Sequence, residues 1–279
     1  MPDIAFINGR FVPWHEATVS IDDRGFQFGD AIYEVIRTYR GVPFKLAAHC
    51  ARLERSARAL NLVQPYTRSQ WERWIHQGLS LAGYQDAKIY IQITRGVAPR
   101  DHGFPSQTSP TVVMTIREIH ALAPEVRQKG VSACTVEDLR WGRCDIKSVN
   151  LLANVLARED ARKAGVFEAI LVKDGRITEG AVSNVMAIHD GVLVTAPEGP
   201  QILSGVTRTV VLELAEQEGL AIEERFISVE SLYRAEEVFL TGTTIEVLGV
   251  VQVDGKVIGS GEPGPTTRAL AARWSILTG

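Results

Sequence analysis

Two-residue turns that favour β-hairpins recur along this chain and constrain its fold more than any other feature. Asn8-Gly9 joins two short apolar runs near the start of the sequence. Three Asp-Gly pairs follow in the second half, at Asp174-Gly175, Asp190-Gly191 and Asp254-Gly255. Such pairs readily adopt the left-handed backbone that a two-residue hairpin turn needs. The sequence therefore predicts much antiparallel strand pairing.

Hydrophobic periodicity adds helices to these strands. Further strands are predicted at residues 31–39, 87–95, 111–116 and 237–240. Helices are predicted at residues 46–60, 69–82, 148–164, 206–218, 229–235 and 266–277. In the first of these, an apolar face runs from Leu46 to Leu60, and Arg52 lies among the charged residues off that face. The mixture is typical of an α+β fold.

Lys147 lies at the joint between an apparent strand and the helix predicted at residues 148–164. Ser148 is a good N-cap for that helix. An apolar face is predicted from the spacing of Leu151, Leu152, Val155 and Leu156. Lys147 is therefore expected immediately before the first turn of the helix.

Composition excludes several classes of function. The formal net charge is -3, with 30 Lys and Arg residues against 33 Asp and Glu, so no broad basic surface for nucleic acid or an anionic membrane is indicated. The 3 cysteines lack metal-ligand spacing and cannot all pair, which indicates neither a zinc site nor a disulfide framework. No signal peptide or apolar run of about 20 residues is visible. We expect a cytoplasmic, soluble protein that acts on small molecules.

Two glycine-threonine elements could bind an anion. The run from Leu203 to Arg208 opens a predicted helix, and the run from Leu240 to Thr244 closes a predicted strand. Backbone N–H groups at a helix start, beside threonine hydroxyls, suit a phosphate. The same residues could simply begin a helix and make a turn. No Walker lysine and no Gly-x-Gly-x-x-Gly run is present, so nucleotide-binding folds of those types are not indicated.

Six motifs, in order, resemble those of the fold-type IV (class IV) pyridoxal-phosphate aminotransferases. They are residues 23–30 with Tyr33 and Glu34, 49–53, 145–152, 177–184, 202–208 and 241–246. The family contains D-amino-acid aminotransferases, branched-chain aminotransferases and aminodeoxychorismate lyases. The resemblance covers nearly the whole chain. It implies an α+β, two-domain fold-type IV enzyme, with a small domain at residues 1–118, a linker at 119–121 and a larger domain at 122–279.

The resemblance also implies a cofactor, pyridoxal 5'-phosphate, and the residues that bind it. Lys147 matches the lysine that forms the Schiff base and moves the α-proton of the substrate. Glu179 matches the partner of the pyridine nitrogen, and Leu203 matches the apolar side chain beside the ring. The phosphate site is matched by Arg52, Val206, Thr207 and Thr243. After Glu179 the chain departs from the serine-rich run of the D-amino-acid enzymes, so that Ser183 is the hydroxyl left near the cofactor.

The substrate end of the site is expected on a loop. Residues 96–110 form a predicted loop of about fifteen residues, a length that tends to be functional or disordered. Within it, Arg100 and His102 resemble the carboxylate-binding pair of the D-amino-acid aminotransferases, with Tyr33 as the third member. A guanidinium beside an imidazole suits a carboxylate, because charge-assisted hydrogen bonds fix its position and plane.

The resemblance thus favours transfer of an amino group from a D-amino acid such as D-alanine to a 2-oxo acid such as 2-oxoglutarate, by a homodimer without a metal. Three alternatives stay open. A branched-chain aminotransferase would act on L-amino acids, and Arg37 resembles an arginine of those enzymes. An aminodeoxychorismate lyase would release pyruvate. A non-catalytic protein would bind the cofactor without reacting with any amino acid.

Overall fold

Two β-sheets, each covered by its own helices, make up the fold of residues 3–279, the part of the chain that the structure, a computed structural model, describes. The strands are β1 Ile4–Ile7, β2 Arg10–Val12, β3 Ala31–Tyr39, β4 Val42–Pro43, β5 Ala87–Thr94, β6 Val112–Glu118, β7 Val131–Glu137, β8 Glu168–Lys173, β9 Arg176–Gly180, β10 Asn184–His189, β11 Val192–Thr195, β12 Ile222–Glu224, β13 Glu237–Gly242, β14 Glu246–Val253 and β15 Lys256–Val257. The α-helices are α1 Arg24–Phe28, α2 Leu46–Ala59, α3 Arg68–Ala82, α4 Pro124–Lys129, α5 Leu152–Lys163, α6 Val206–Gln217, α7 Val229–Tyr233 and α8 Pro265–Thr278.

The described chain divides into two compact units. The first comprises the described residues up to His120 together with Ile146–Asn150, and the second comprises Ala121–Asp145 and Leu151–Gly279. The short segment that contains Lys147 therefore groups with the first unit, although it lies within the larger domain predicted from the sequence. The domain limits 1–118 and 122–279 stay predictions, because compactness alone does not show that either part folds by itself.

The first unit is an antiparallel sheet with two amphipathic helices on one face. Its strand order is β2-β1-β6-β5-β3-β4. The Asn8-Gly9 turn joins β1 to β2 as predicted, and both residues have positive φ, at 47° and 91°. Helices α2 and α3 bury apolar side chains such as Leu53 and Ile75 against Phe6 and Met114 of the sheet. This burial is the main favourable contribution to the stability of the unit.

The second unit is built on a nine-stranded mixed sheet. Its order is β12-β11-β10-β13-β14-β7-β8-β9, and β15 pairs with β14. All three predicted Asp-Gly hairpins are present, with Asp174, Asp190 and Asp254 at φ near 50°. The predicted antiparallel pairing is only part of this sheet, because β7 runs parallel to both β14 and β8.

The predicted start of the helix after Lys147 is wrong. Ser148 is not an N-cap but forms an isolated antiparallel bridge with Ile32 of β3, and Val149 N–H donates to Ala31 O over 3.1 Å. Residues 146–150 are not helical, Ser148 being held in this bridge, and the helix begins only at Leu152. Local capping preference is here overridden by strand pairing.

The predicted apolar face of that helix is also wrong. Leu152, Val155 and Leu156 are 73%, 58% and 54% exposed within this single chain. Helix α5 instead packs through Ala157 and Ala161, whose small side chains allow a close approach to β8. The exposed leucines and valine therefore lie on the outer surface of the second unit.

Neither a membrane helix nor a metal cluster is found between Asp3 and Gly279. No helix in this range has both the length and the apolar character needed to cross a bilayer. The same residues include no grouping of three His, Cys, Asp or Glu side chains that could hold a metal ion.

Candidate active site

Lys147 is held beside Tyr33 by its own backbone. Tyr33 N–H donates to Lys147 O over 2.9 Å, and Lys147 N–H donates to Ser56 Oγ over 3.1 Å. These bonds come from β3 and α2, two rigid elements of the first unit. Nζ of Lys147 lies 4.2 Å from the centroid of the Tyr33 ring. The structure thus brings the predicted lysine and one predicted substrate-binding residue into contact.

Arg52 is buried in an ion pair, although periodicity alone places it among the charged residues off the apolar face of α2. Its Nε lies 2.7 Å from Glu34 Oε1 and its Nη2 lies 2.9 Å from Glu34 Oε2. His49, one turn earlier on α2, places Nδ1 2.8 Å from Glu34 Oε2. Glu34 and His49 belong to the matched family motifs, but no role was predicted for either. The sequence feature that could have indicated this cluster is the i, i+3 spacing of His49 and Arg52, which places both on one side of a helix, together with a carboxylate on the preceding strand.

Electrostatics fix the charge of this buried cluster. Burial raises the pKa of Glu34, but the charge and hydrogen bonds of Arg52, and then of His49, outweigh it and bring that pKa well below its usual range. Burial lowers the pKa of His49; the Glu34 carboxylate opposes this, and the charges of Arg52 and Lys147 add to it. Glu34 is therefore ionised, and Nδ1 of His49 carries the proton donated to it, because a carboxylate can only accept.

Arg100 and His102 lie together around one aromatic ring. Cζ of Arg100 is 4.6 Å from the centroid of the Phe28 ring, and the His102 ring centroid is 5.4 Å from it. Both side chains are exposed. Between them, Asp101 O accepts a hydrogen bond of 2.6 Å from Arg24 Nη1. The loop that carries the predicted substrate-binding pair is thus attached to the short helix α1.

Glu179 is the centre of a polar cluster in the second unit. Its Oε2 accepts hydrogen bonds from Asn184 Nδ2 over 2.9 Å and from Leu203 N–H over 3.0 Å, while Arg140 Nη1 donates to Oε1. The structure therefore joins two predicted cofactor-binding residues, Glu179 and Leu203. Asn184 and Arg140 were not assigned to the site from the sequence.

Arg140 also holds a second carboxylate. Asp138 accepts from Arg140 Nε over 2.8 Å and Nη2 over 2.7 Å, and from Thr178 Oγ1 over 2.8 Å. Burial raises the pKa of Asp138, but its hydrogen bonds to Arg140 outweigh burial and lower it. For Arg140, burial lowers the pKa, and the two carboxylates more than reverse this. Two carboxylates and one guanidinium leave this cluster with one net negative charge.

The first turn of α6 offers backbone donors to an anion. Val206 and Thr207 are buried at its start, and its N-cap, Gly205, has no side chain to occupy the N–H groups that follow. Only glycine fits there, because a Cβ would lie 2.0 Å from Asn184 Oδ1. Thr243 lies in the turn that follows β13.

Ser183 contacts a different carboxylate. Its hydroxyl donates to Oε2 of the fully buried Glu168 over 3.1 Å, and Oε1 of Glu168 lies 3.1 Å from Arg158 Nη1. Gly180 N–H donates to Ser183 O over 2.7 Å, which closes a tight turn after Glu179. The hydroxyl therefore supports the sheet that carries Glu179.

These groups fit the cofactor implied by the sequence. A cluster with one net negative charge around Glu179 suits a protonated pyridine nitrogen. Backbone N–H groups at the start of α6 suit a phosphate group. In the first unit, an amine held over an aromatic ring suits an aldehyde carbon as its electrophile.

Comparison with known proteins gives matches over most of the chain. The model of the amino-transferase class IV family matches residues 31–253. D-alanine aminotransferase from Bacillus licheniformis is 44% identical over 261 residues, which are 94% of this chain and 92% of that protein. D-alanine aminotransferase from Staphylococcus haemolyticus is 44% identical over 265 residues, 95% of this chain and 94% of that protein.

Solved structures match as well. Branched-chain amino acid aminotransferase from Escherichia coli superposes with a TM-score of 0.92 at 29% identity, covering 99% of this chain and 94% of that one. The branched-chain aminotransferase of the archaeon Thermoproteus uzoniensis, solved with norvaline, gives a TM-score of 0.88 at 26% identity, covering 99% and 94%. The similarity therefore extends from the sequence to the three-dimensional fold.

Proposed function

Since this chain belongs to the class IV aminotransferase family, we propose that it transfers the amino group of a D-amino acid such as D-alanine to a 2-oxo acid such as 2-oxoglutarate. The family match confirms three predictions: the α+β fold of fold type IV, an aminotransferase activity, and pyridoxal 5'-phosphate as the cofactor. Amino acids and 2-oxo acids are accordingly its substrates. The D configuration and the roles of individual residues belong to the proposal.

In the first unit, the proposal gives Lys147 two tasks. Its Nζ would hold the cofactor covalently until the amino group of the substrate displaces it, and the freed amine would then remove and return the proton at the α-carbon of the substrate. The Lys147 backbone accepts a hydrogen bond from Tyr33 and donates one to Ser56. These bonds fix the position from which the side chain extends, which favours an accurate proton transfer. Arg52 binds phosphate, and the Glu34 ion pair fixes its orientation. Arg100, His102 and Tyr33 bind the substrate carboxylate.

In the second unit, we assign Glu179 as the partner of the pyridine nitrogen of the cofactor. Pyridoxal phosphate acts as an electron sink for the carbanion left by proton removal, and a protonated nitrogen strengthens this. The ionised carboxylate of Glu179 would accept a hydrogen bond from that nitrogen and keep it protonated, and hydrogen bonds from Asn184 and Leu203 keep the carboxylate oriented. Thr243 and the start of α6, at Val206 and Thr207, bind phosphate. The side chain of Leu203 packs against the ring, and Ser183 supports the turn beside it.

One observation carries the choice of a D-amino acid. Identity to D-alanine aminotransferases reaches 44% along nearly the full length of both chains, against 29% for the matched branched-chain enzyme from Escherichia coli. The test is a half-reaction scan that follows loss of the visible absorbance of the bound cofactor with D- and L-amino acids in turn. D-alanine should react at least about a hundredfold faster than L-leucine, a difference of ~2.7 kcal/mol. Faster reaction with L-leucine would refute the proposal.

A branched-chain aminotransferase is the second candidate. The fold supports it, since solved branched-chain enzymes superpose over 99% of the chain. Arg37, which resembles an arginine of the branched-chain enzymes, also supports it. This residue is buried on β3, with Cζ 4.6 Å from the Tyr39 ring centroid. The same scan decides between the two. Repeated turnover that releases pyruvate from aminodeoxychorismate without an amino acceptor would instead indicate an aminodeoxychorismate lyase. An absence of reaction with any amino acid would indicate a non-catalytic protein.

We further propose that the chain is a homodimer and that α5 contributes to its interface. Leu152, Val155 and Leu156 form an exposed apolar strip, and Asn154 Nδ2 donates to Ala181 O, which sets the 64% exposed Val182 beside it. Exposed apolar patches of this kind commonly mark interfaces. Leu156→Glu should shift the sedimentation coefficient from that of a dimer to that of a monomer.

We propose the cytoplasm as the compartment of this protein. The free thiols of Cys50, Cys134 and Cys144 support a reducing compartment of this kind.

A further inference from the structure

We propose that Arg24 and Phe28, both on helix α1, are positioning residues that hold Arg100 and His102 in place for the carboxylate of the substrate. The inference rests on the proposed function, because it takes Arg100 and His102 as the groups that bind this carboxylate. It adds two residues that do not themselves touch the substrate.

The first support is a buried cation that reaches out to an exposed loop. Arg24 is only 3% exposed. Its Nη1 donates to Asp101 O over 2.6 Å, and its Nε donates to Asp30 Oδ2 over 2.9 Å. A hydrogen bond from a guanidinium to a carbonyl is about twice as strong as a neutral one. The carbonyl between Arg100 and His102 is therefore fixed by a group that cannot easily move.

The second support is the ring of Phe28. Arg24 and Arg100 place Cζ 4.8 Å and 4.6 Å from its centroid, and the His102 ring lies 5.4 Å away. Cations are attracted to the face of an aromatic ring, and this attraction is orientation-dependent. Phe28 thus contacts the Arg100 guanidinium and the His102 imidazole at the same time, which favours one orientation of each. These orientations matter, because a carboxylate is bound best by donors that share its plane.

The third support is a shared counter-ion, the carboxylate of Asp30, which pairs with both Arg24 and Arg95. Asp30 also accepts from Arg95 Nε over 2.7 Å and Nη2 over 3.0 Å. Cζ of Arg95 in turn lies 3.7 Å from the ring centroid of Phe104. Two arginines that share one carboxylate therefore reach the loop on both sides of His102, at Asp101 and at Phe104.

Backbone bonds complete the attachment of the loop to α1. Arg24 N–H donates to Gly96 O over 2.9 Å, and Ala98 N–H donates to Asp22 O over 3.2 Å. Asp23 caps α1 and also accepts from Thr94 Oγ1 over 2.9 Å. A loop that is ordered before the substrate arrives avoids the entropic cost of ordering on binding. The expected consequence is tighter binding of the carboxylate rather than faster chemistry.

The experiment compares Phe28→Leu and Arg24→Lys with a matched control, Phe26→Leu. Phe26 is on the same helix but 75% exposed. We expect both test variants to raise KM for D-alanine about tenfold, with kcat changed less than about threefold, since uniform binding is lost. Phe28→Tyr, which keeps the ring, should restore KM. The half-reaction with a primary amine that lacks a carboxylate should not change.

A second measurement does not need turnover. Trypsin cleavage after Arg100, followed by mass spectrometry of the holoenzyme, should be several-fold faster in Phe28→Leu than in the wild type or Phe26→Leu, because a loop that opens more often is cut more often. Arg100→Ala serves as the reference variant. If Arg100→Ala raises KM but neither Phe28→Leu nor Arg24→Lys does, the positioning role is wrong and the proposed function stands.

The remaining outcomes are also distinct. If Arg100→Ala leaves KM unchanged in an enzyme that uses D-alanine, the carboxylate role of Arg100 fails, and the positioning role fails with it. If the wild type reacts only with L-amino acids, the proposed D-specificity fails, but KM for the L-substrate and the cleavage rate still decide the positioning role. Unchanged cleavage in Phe28→Leu would overturn it in either case.

Discussion

Arg52 and Glu34 form a two-point ion pair in which the side chains are only 4% and 1% exposed. Removing one partner of such a pair leaves an uncompensated buried charge. We therefore expect Glu34→Gln to reduce the free energy of unfolding by about 3–5 kcal/mol at neutral pH. Urea denaturation of the apoprotein measures this. Glu72→Gln, which breaks the exposed pair with Arg68, is the matched control and should cost no more than about 1 kcal/mol.

The same pair predicts a pH dependence. The pKa of Glu34 lies below its ordinary value in the folded state, so folding favours its ionised form. The stabilisation is complete above the unfolded pKa of about 4.3 and is lost as the pH falls toward the lower folded pKa. The difference in unfolding free energy between the wild type and Glu34→Gln should thus be largest near pH 7 and shrink below about pH 4. A difference that grows on acidification would contradict this sign.

Arg140 gives a prediction about cofactor binding. It forms ion pairs with both Asp138 and Glu179. Arg140→Met leaves two carboxylates close together, so one of them should take up a proton. A protonated Glu179 holds a pyridinium poorly, and we expect affinity for pyridoxal phosphate to fall about ten- to a hundredfold. The retained cofactor is measured by absorbance after dialysis and alkaline release.

Arg143→Met is the matched control for Arg140. Arg143 also binds a carboxylate at two points, Asp145, but its side chain is 49% exposed, against 6% for Arg140. We expect this variant to retain the cofactor like the wild type, because exposed ion pairs contribute little. Equal cofactor loss from both variants would show that the Arg140 cluster has no special role.

Much of this fold was accessible from the sequence because its signals are local. Hairpin turns at Asn8-Gly9 and Asp174-Gly175 and the apolar face of α2 depend on residues close together in the chain. The start of α5 was not predicted correctly, because Ser148 pairs with a strand more than a hundred residues earlier in the chain. The parallel pairing of β7 was missed for the same reason. Periodicity gives no register between distant segments.

The residues of the candidate site also fall into those that a sequence motif indicates and those that only the three-dimensional structure indicates. Matching motifs selected Lys147, Glu179 and Leu203, and the structure joins the last two by a hydrogen bond. Arg140 and Asn184 could not be chosen from the sequence, because each becomes informative only when the carboxylate of Glu179 is placed beside it. Arg52 is a related case: only a carboxylate on another element makes its burial possible.

Lys147 gives a prediction about turnover and absorbance. Lys147→Ala should abolish turnover, because the amine that bonds to the cofactor is lost, and should shift the visible absorbance of the bound cofactor to that of the free aldehyde. Binding itself should persist, since phosphate and nitrogen contacts are unchanged. Lys129→Ala, an exposed lysine on α4, is the control and should behave as the wild type. A borohydride-stable bond between the cofactor and the Lys147→Ala protein would refute the assignment.

Glu237 gives the last prediction, which concerns stability alone. Its buried carboxylate accepts hydrogen bonds from the backbone N–H groups of Thr266 and Thr267 over 2.9 Å and 2.7 Å, and from Thr267 Oγ1 over 2.6 Å. Helix α8 has no capping side chain of its own at Gly264, so Glu237 supplies the negative charge at its start. Glu237→Gln turns one acceptor into a donor that faces these N–H groups. We expect it to lower the unfolding free energy by about 1–3 kcal/mol.

The neighbouring residue allows a matched control for this last change. Glu236 is exposed and accepts a hydrogen bond from Asp190 N–H over 2.9 Å, which the carbonyl of a glutamine can also accept. Glu236→Gln should therefore change stability by no more than about 0.5 kcal/mol. Equal losses in the two variants, measured by urea denaturation at pH 7, would mean that the start of α8 does not depend on Glu237. A loss confined to Glu237→Gln would show that a single strand carboxylate fixes this helix to the sheet.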